Sequence, residues 1–193
     1  MGAALDRVFV IDIEATCWET REEQGSQPNE IIEIGICELN KQKGIIDISS
    51  YVVKPGRTKV SPFCTQLTGW TQEQVDEGAD ILSTIQAIEQ DYRITKDNVW
   101  FSFGEYDRVK LSSREGERGG LYELYGIQRS QNIFDRMRAH FNVKTLMALK
   151  EGLAKEMGMD RALKYYGLTL DGRHHNGADD AANIAKIVTK VLS

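Results

Sequence analysis

The stretch Val8-Phe9-Val10-Ile11-Asp12-Ile13-Glu14 sets the tightest limits on what this chain can fold into. Its residues other than the two acids are β-branched apart from Phe9, which predicts a strand. A run this apolar predicts burial on both faces, as at the centre of a sheet. Strand side chains alternate, so Asp12 and Glu14 share one side, their Cα atoms about 6.6 Å apart at a rise of roughly 3.3 Å per residue. Two carboxylates at the end of a buried strand are costly unless something positive lies between them. A divalent cation is the simplest such partner. The bland alternative is an Asp-x-Glu pair that merely starts a turn.

The rest of the composition is that of an ordinary globular protein, with 193 residues, 41% hydrophobic and 27% charged. That length predicts one domain, 1–193, with a single substantial core. No apolar run approaches the roughly 20 residues needed to span a bilayer, so no membrane association is expected. Met1 to Asp6 has neither a basic nor an apolar leader region, and Asp6 spoils a myristoylation match. Cys17, Cys37 and Cys64 have no metal-type spacing and read as free thiols of a reducing, cytoplasmic setting. A net charge of −5 argues against binding nucleic acid by bulk electrostatics, but the distribution is uneven. Residues 1–40 hold nine acids and two bases, whereas 104–150 hold nine bases and six acids. The basic run Arg129, Arg136, Arg138 and Lys144 could track a phosphate backbone, although such runs are more often solvated faces.

Polar residues 18–30, with Gly25, Ser26 and Pro28, predict a long loop. Ile31 to Leu39 and Ile45 to Val53, separated at Gly44, predict a second and third strand in an antiparallel meander. Ser61 with Pro62 opens a short helix that Gly69 ends. Thr71 with Gln74 forms a capping-box pattern for the next helix, and another follows over about 79–92. Asn98 to Phe103 predicts a fourth strand, and Gly104 leads into a helix. Gly116, Gly119 and Gly120 mark a loop without the spacing or lysine of a P-loop. Asn132-Ile133-Phe134 predicts a short fifth strand, with helices at 135–142, 145–157, 160–166 and 177–192. The order implies one α/β domain with a mixed sheet.

The final helix carries a second acidic position. Stepping from Asp180 by helical intervals reaches Ile184, Ile187, Val188 and Val191, whereas stepping from Asp179 reaches Asn183, Lys186 and Lys190. Asp180 is therefore predicted on the buried stripe, with Asp179 and Asn183 on the solvent face. A buried Asp there can be a metal ligand or simply a carboxylate favoured by the helix dipole. His174 and His175 lie in the turn ahead of the helix, and imidazole suits proton abstraction from water near neutral pH. Glu105 and Asp107 are both candidates for a further acid, and periodicity does not separate them.

Taken in order, these segments resemble the DEDDh 3′→5′ exonucleases of the ribonuclease-H-like fold. The resemblance rests on Ile11-Asp12-Ile13-Glu14-Ala15-Thr16-Cys17, on Asn29-Glu30-Ile31-Ile32-Glu33-Ile34-Gly35, and on Ser61 to Thr71 with its Cys64-Thr65-Gln66-Leu67-Thr68-Gly69. Phe103-Gly104-Glu105-Tyr106-Asp107 and the His175-x4-Asp180 pair complete it. The wording is similar to the branch that trims RNA 3′ ends, including those of histone messages and small interfering RNAs. No added nucleic-acid-binding module, such as the SAP domain of some relatives, is expected. The family fold is α/β and ribonuclease-H-like, a five-stranded mixed sheet (three antiparallel strands, then two parallel) flanked by helices. The resemblance selects Asp107 over Glu105, and implies Asp12, Glu14, Asp107 and Asp180 as ligands of two divalent ions, Mg²⁺ or Mn²⁺. It further implies His175 as general base and hydrolysis of single-stranded RNA or DNA from the 3′ end to nucleoside 5′-monophosphates. Ala15 and Thr16, with Phe63, Leu67 and Tyr106, are implied as substrate contacts, although Phe63 and Leu67 suit core packing equally.

Two other classes fit parts of the pattern. A haloacid-dehalogenase-type phosphatase would use Asp12, Glu14 and Thr16, with Ser102 and the Gly177-to-Asp180 segment as later motifs. That scheme leaves His175 and Leu67-Thr68-Gly69 unexplained. A nucleic-acid-binding module without catalysis is the non-enzymatic alternative, and the full set of catalytic residue types speaks against it.

Overall fold

The computed structural model describes residues 6–193, so the expectation drawn from Met1 to Leu5 lies outside the described residues. The sheet has five strands in the order β3-β2-β1-β4-β5. Central β1 (Val8–Ala15) is buried along its length except at half-buried Asp12. It pairs antiparallel with β2 (Ile31–Asn40), which pairs antiparallel with β3 (Gly44–Val52). The helices α1 (Arg21–Gln24), α2 (Pro62–Thr68), α3 (Gln72–Asp76) and α4 (Ile81–Asp91) precede β4 (Val99–Ser102), which lies parallel to β1. Helices α5 (Tyr106–Lys110), α6 (Leu121–Tyr125) and α7 (Ile133–Arg136) lead to β5 (Ala139–Asn142), parallel to β4. The chain continues through α8 (Val143–Glu151), α9 (Met159–Tyr165) and α10 (Gly177–Leu192).

The period-2 pleat sorts β1 into two faces. Phe9, Ile11 and Ile13 pack with Ile85 and Ile88 of α4 and with Trp100. Val8 and Val10 point the other way, into a cluster with Val143 and Met147 of α8 and Ile184, Ile187 and Val188 of α10. Asp12 and Glu14 have the parity of Val8 and Val10, so they emerge beneath α10. In register, Asp12 faces Gly35 and Glu14 faces Glu33, and a bulge follows Glu14. The stripe running through Asp180 therefore delivers that acid toward the end of β1.

The caps behave as their chemistry dictates. Ser61 accepts the Cys64 N–H, and Thr71 with Gln74 forms the reciprocal capping box. Elsewhere the structure departs from expectation. Asn132 to Phe134 is not a strand, because the Asn132 side chain accepts the Phe134 N–H and caps α7, sending Ile133 and Phe134 into the core. The fifth strand is instead Ala139–Asn142, where a helix was expected over 135–142. The 18–30 loop contains α1, capped by Thr20. Asn183 is buried rather than solvated, because the segment before α10 folds over it, and its amide donates to the carbonyls of Asp171 at 2.8 Å and Asp179 at 2.9 Å.

Candidate active site

Three elements bring acids to one cleft. β1 supplies Asp12 and Glu14, α5 supplies Asp107, and the first turn of α10 supplies Asp180. The cleft, of about 320 Å³, is also lined by Tyr106, Phe103, Met159, His174 and His175. One carboxylate oxygen each from Asp12, Glu14 and Asp180 lies within 4.8 Å of the others. The Asp107 Oδ1 accepts the Ile13 N–H at 3.1 Å, which ties α5 to β1 between the two strand acids. Glu105 is turned outward onto Arg108 at 2.5 Å, so it is Asp107 that joins the cluster.

The acids are held in an environment that opposes their ionisation. Burial, then the charges of Asp107, Asp180 and Glu14, raises Asp12 well above the ordinary carboxylate range. Burial and the neighbouring Glu33 push Glu14 up to about 8. Asp107 is pushed up to about 6 by burial, against the opposing Ile13 N–H. Burial also raises Asp180, against the His175 N–H that donates to its Oδ2 at 2.9 Å. The Asp180 Oδ1 is buried without a hydrogen-bond partner among the described residues. A hard divalent cation, which prefers oxygen ligands, answers both the mutual repulsion and the orphaned oxygen. The residues present fit such an ion.

The histidines stack with ring centroids 4.1 Å apart. His174 Nδ1 lies 3.1 Å from Asp180 Oδ2, whereas His175 Nδ1 lies 3.9 Å from Glu14 Oε1. His175 has a left-handed backbone, φ 64°, which lets the turn direct its N–H onto Asp180 while its ring leans toward Glu14. Burial and His174 lower the His175 pKa.

Glu33 has a role that the sequence motifs do not reveal. It is fully buried and accepts from the Ser50 hydroxyl at 2.6 Å, the Trp70 indole N–H at 2.7 Å and the Gly177 N–H at 2.9 Å. Those bonds fix the first turn of α10, and with it Asp180. The signal that could have found it is a charge inside the apolar run Ile31 to Ile36. Phe103 sits at the head of the motif that carries Asp107, whereas Met159 has no sequence signal.

The remaining expected contacts divide. Tyr106 is 53% exposed at the cleft's rim. Phe63 and Leu67 of α2 are half-buried and border a further depression with Glu19 and Gln66. Ala15 is buried, its carbonyl receiving the Cys64 thiol at 3.6 Å. Thr16 is fully buried, with its hydroxyl 3.0 Å from that of Thr58 and accepting the Glu30 N–H, so its side chain is closed to any ligand. The basic run forms no single track. Arg136 pairs with Glu89, and Lys144 lies 5.4 Å from the Phe103 ring centroid. The phosphatase arrangement is not built either, since the Ser102 hydroxyl is buried and donates to the Gly104 carbonyl, while Asp179 accepts the Arg173 N–H.

An acid cluster where a helix closes over the central strand of a β3-β2-β1-β4-β5 sheet defines a ribonuclease-H-like nuclease. Residues 9–115 match the family model described as Exonuclease (RNase_T), and the chain belongs to that family, in its DEDDh branch of 3′→5′ exonucleases. Members of this family use divalent metal ions. The human protein named ERI1 exoribonuclease 2 is 31% identical over 206 residues, spanning 97% of this chain and 28% of that protein. Human 3′-5′ exoribonuclease 1 is 27% identical over 197 residues, spanning 97% of this chain and 52% of that protein. The chain thus spans from 28% to 52% of the length of these curated relatives. The crystallographic nuclease domain of 3′hExo, described as a DEDDh family member bound to rAMP, superposes with a TM-score of 0.81 at 26% identity. That match covers 100% of this chain and 94% of that one. Among the described residues no helix is long and apolar enough to cross a membrane.

Proposed function

We propose that this chain is a metal-dependent 3′→5′ exonuclease that shortens single-stranded RNA from its 3′ end, releasing nucleoside 5′-monophosphates. The observation that carries the reading is the convergence of Asp12, Glu14 and Asp180 within 4.8 Å, with Asp107 beside them and a cation the missing counter-charge. Asp12 would be the shared ligand, Glu14 and Asp180 would complete the site for the attacking water, and Asp107 would support a second ion beside the leaving oxygen. Two divalent ions, Mg²⁺ or Mn²⁺, would supply charge neutralisation at the phosphate and a water acidic enough to attack near neutral pH.

The chain's own groups do the rest. His175 takes the proton from the attacking water, a task for which its lowered pKa keeps the ring neutral and able to accept. His174 helps to hold Asp180 through the same oxygen, Oδ2, that the His175 N–H reaches. Glu14 and the Ala15 backbone meet the terminal 3′ hydroxyl. Tyr106 offers an exposed ring for stacking under the last base, which suits unpaired strands because every base has a π-face. Phe63 and Leu67 form the shoulder over which the base enters. RNA rather than DNA is favoured because the curated relatives are named exoribonucleases and the bound ligand of the 26%-identical nuclease domain is rAMP. The working unit is taken as one domain, 1–193, acting in the cytoplasm.

Incubation with 5′-labelled single-stranded RNA and DNA, in Mg²⁺, Mn²⁺ and EDTA arms, tests the proposal. A ladder shortening from the 3′ end, faster on RNA and abolished by EDTA, is expected. Internal cuts, or equal cleavage in EDTA, would overturn it.

A further inference from the structure

A second and larger cleft shares no lining residue with that of the acids. It measures about 760 Å³, within the range of roughly 300–1,000 Å³ typical of ligand sites. Its walls come from the loop around α1, from Arg57, from the end of α5 and from residues 118–124. Four cations line it, Arg21, Arg57, Lys110 and Arg118, against one acid, Glu123. None of the four is in an ion pair among the described residues. Lys110 donates to the Asn29 carbonyl at 2.7 Å and Arg57 to the Leu124 carbonyl. Arg21 and Arg118 are exposed and make no side-chain hydrogen bond among the described residues. The Glu123 carboxylate is occupied by the Gly119 N–H, and the nearby Glu30 by the N–H groups of Gly56, Arg57 and Thr58.

Four like charges around one cleft repel one another unless an anion enters. With four cations against Glu123 the lining carries a net charge of +3 in a chain whose net charge is −5, although the charges of Glu123 and the nearby Glu30 act on Lys110. The Lys110 ammonium lies 5.7 Å from the Tyr106 ring centroid, so the basic cleft adjoins the rim of the acidic one. We propose that this cleft binds the phosphates of the substrate strand a few nucleotides 5′ of the end being cut. The proposal rests on the exonuclease reading for the polarity of the strand, but its binding site stands apart from the acids. Interactions of this kind with phosphate position a strand without reading its sequence. Arg57 and Lys110, tethered to carbonyls, form the fixed floor, and Arg21 and Arg118 are free to close on the strand.

The test is equilibrium binding of fluorescent oligoadenylates of two, four, eight and twelve nucleotides, in EDTA, across a salt series. Wild-type affinity is expected to rise with length beyond the dinucleotide. In Arg21→Ala/Arg118→Ala that rise is expected to shrink, with about tenfold weaker binding of the twelve-mer at low salt. The slope of log affinity against log salt is expected to fall by about 1.4, at roughly 0.7 for each phosphate of a single strand that is no longer neutralised. Arg21→Lys/Arg118→Lys should restore most of it, and Arg21→Glu/Arg118→Glu should deepen the loss. Equal affinities and slopes for wild type and both charge-removing variants would overturn the proposal. If the wild type binds in this cation-dependent way but shortens no strand with metal present, the exonuclease reading fails and the binding cleft remains. If it shortens strands while the variants bind as wild type does, the cleft alone fails.

Discussion

Replacing Glu14 by Gln should stabilise the metal-free protein while disabling it. A carboxyl that ionises near 8 in the fold but near 4.5 when exposed binds more protons folded than unfolded. Its penalty is therefore small in acid and grows as pH rises between those two values. At 1.36 kcal/mol per pKa unit, the raised Glu14 pKa costs the fold about 1 kcal/mol at pH 5 and about 4 kcal/mol at pH 8. Gln keeps the shape and removes the charge. At roughly 2–4 °C per kcal/mol for a chain of this size, Glu14→Gln should melt on the order of 10 °C higher than wild type at pH 8 in EDTA. The gap should nearly close at pH 5. Saturating Mg²⁺ should then narrow the pH 8 gap, because ligand binding adds about 2.7 kcal/mol at a hundredfold excess over Kd and favours the wild type. Thermal melts at both pH values, with EDTA and with Mg²⁺, read this directly. A Glu14→Gln melting point at or below wild type at pH 8 in EDTA would refute the view that burial and neighbouring charge make the ionised Glu14 costly until a cation binds.

Other perturbations have equally definite outcomes. Asp12→Asn should abolish strand shortening while leaving the circular-dichroism spectrum unchanged; a comparable cleavage rate would remove Asp12 from the role of shared ligand. Gly35→Ala should cost about 3 kcal/mol or more in denaturant unfolding, because its Cβ would overlap the Gly177 carbonyl where β2 and α10 touch backbone to backbone. Glu33→Ala would strand the Trp70 and Gly177 N–H groups and should cost about 2–6 kcal/mol, at roughly 1–3 kcal/mol for each buried group left without a partner. It should also lower metal affinity in calorimetric titration, since the first turn of α10 loses its anchor. Because the His175 pKa is lowered and the neutral ring is the base, kcat under saturating metal should fall only below the ordinary histidine value of 6.5. His175→Ala should depress kcat at every pH, and His174→Ala should depress it less.

The acids were legible because burial makes a lone carboxylate expensive, and the apolar pattern around Asp12 and Asp180 declared the burial. The choice between Asp107 and Glu105 was not legible from periodicity. It depends on the Ile13 N–H, a partner far away in sequence. Asn132-Ile133-Phe134 has strand-like side chains, but its Asn acts as a cap, and capping geometry overrode propensity. The true β5, Ala139–Asn142, is short and only half-buried, and its Ala, His and Asn advertise little as a strand. Asn183 misled because helical periodicity sees one helix alone, whereas the segment around Asp171 covers that side. The basic cleft was invisible as a pattern, since Arg21, Arg57, Lys110 and Arg118 come from separate segments that meet only in the folded chain.

The meeting of Gly35 with Gly177 has a bearing on synthesis. Asp12 and Glu14 leave the ribosome long before Gly177, and nothing can complete their cluster until the helix beginning at Gly177 has been made and laid across the sheet. A growing polypeptide that still trails behind its own message carries only half a blade. Completion of the acid cluster is thereby deferred in the nascent chain by the order of its parts.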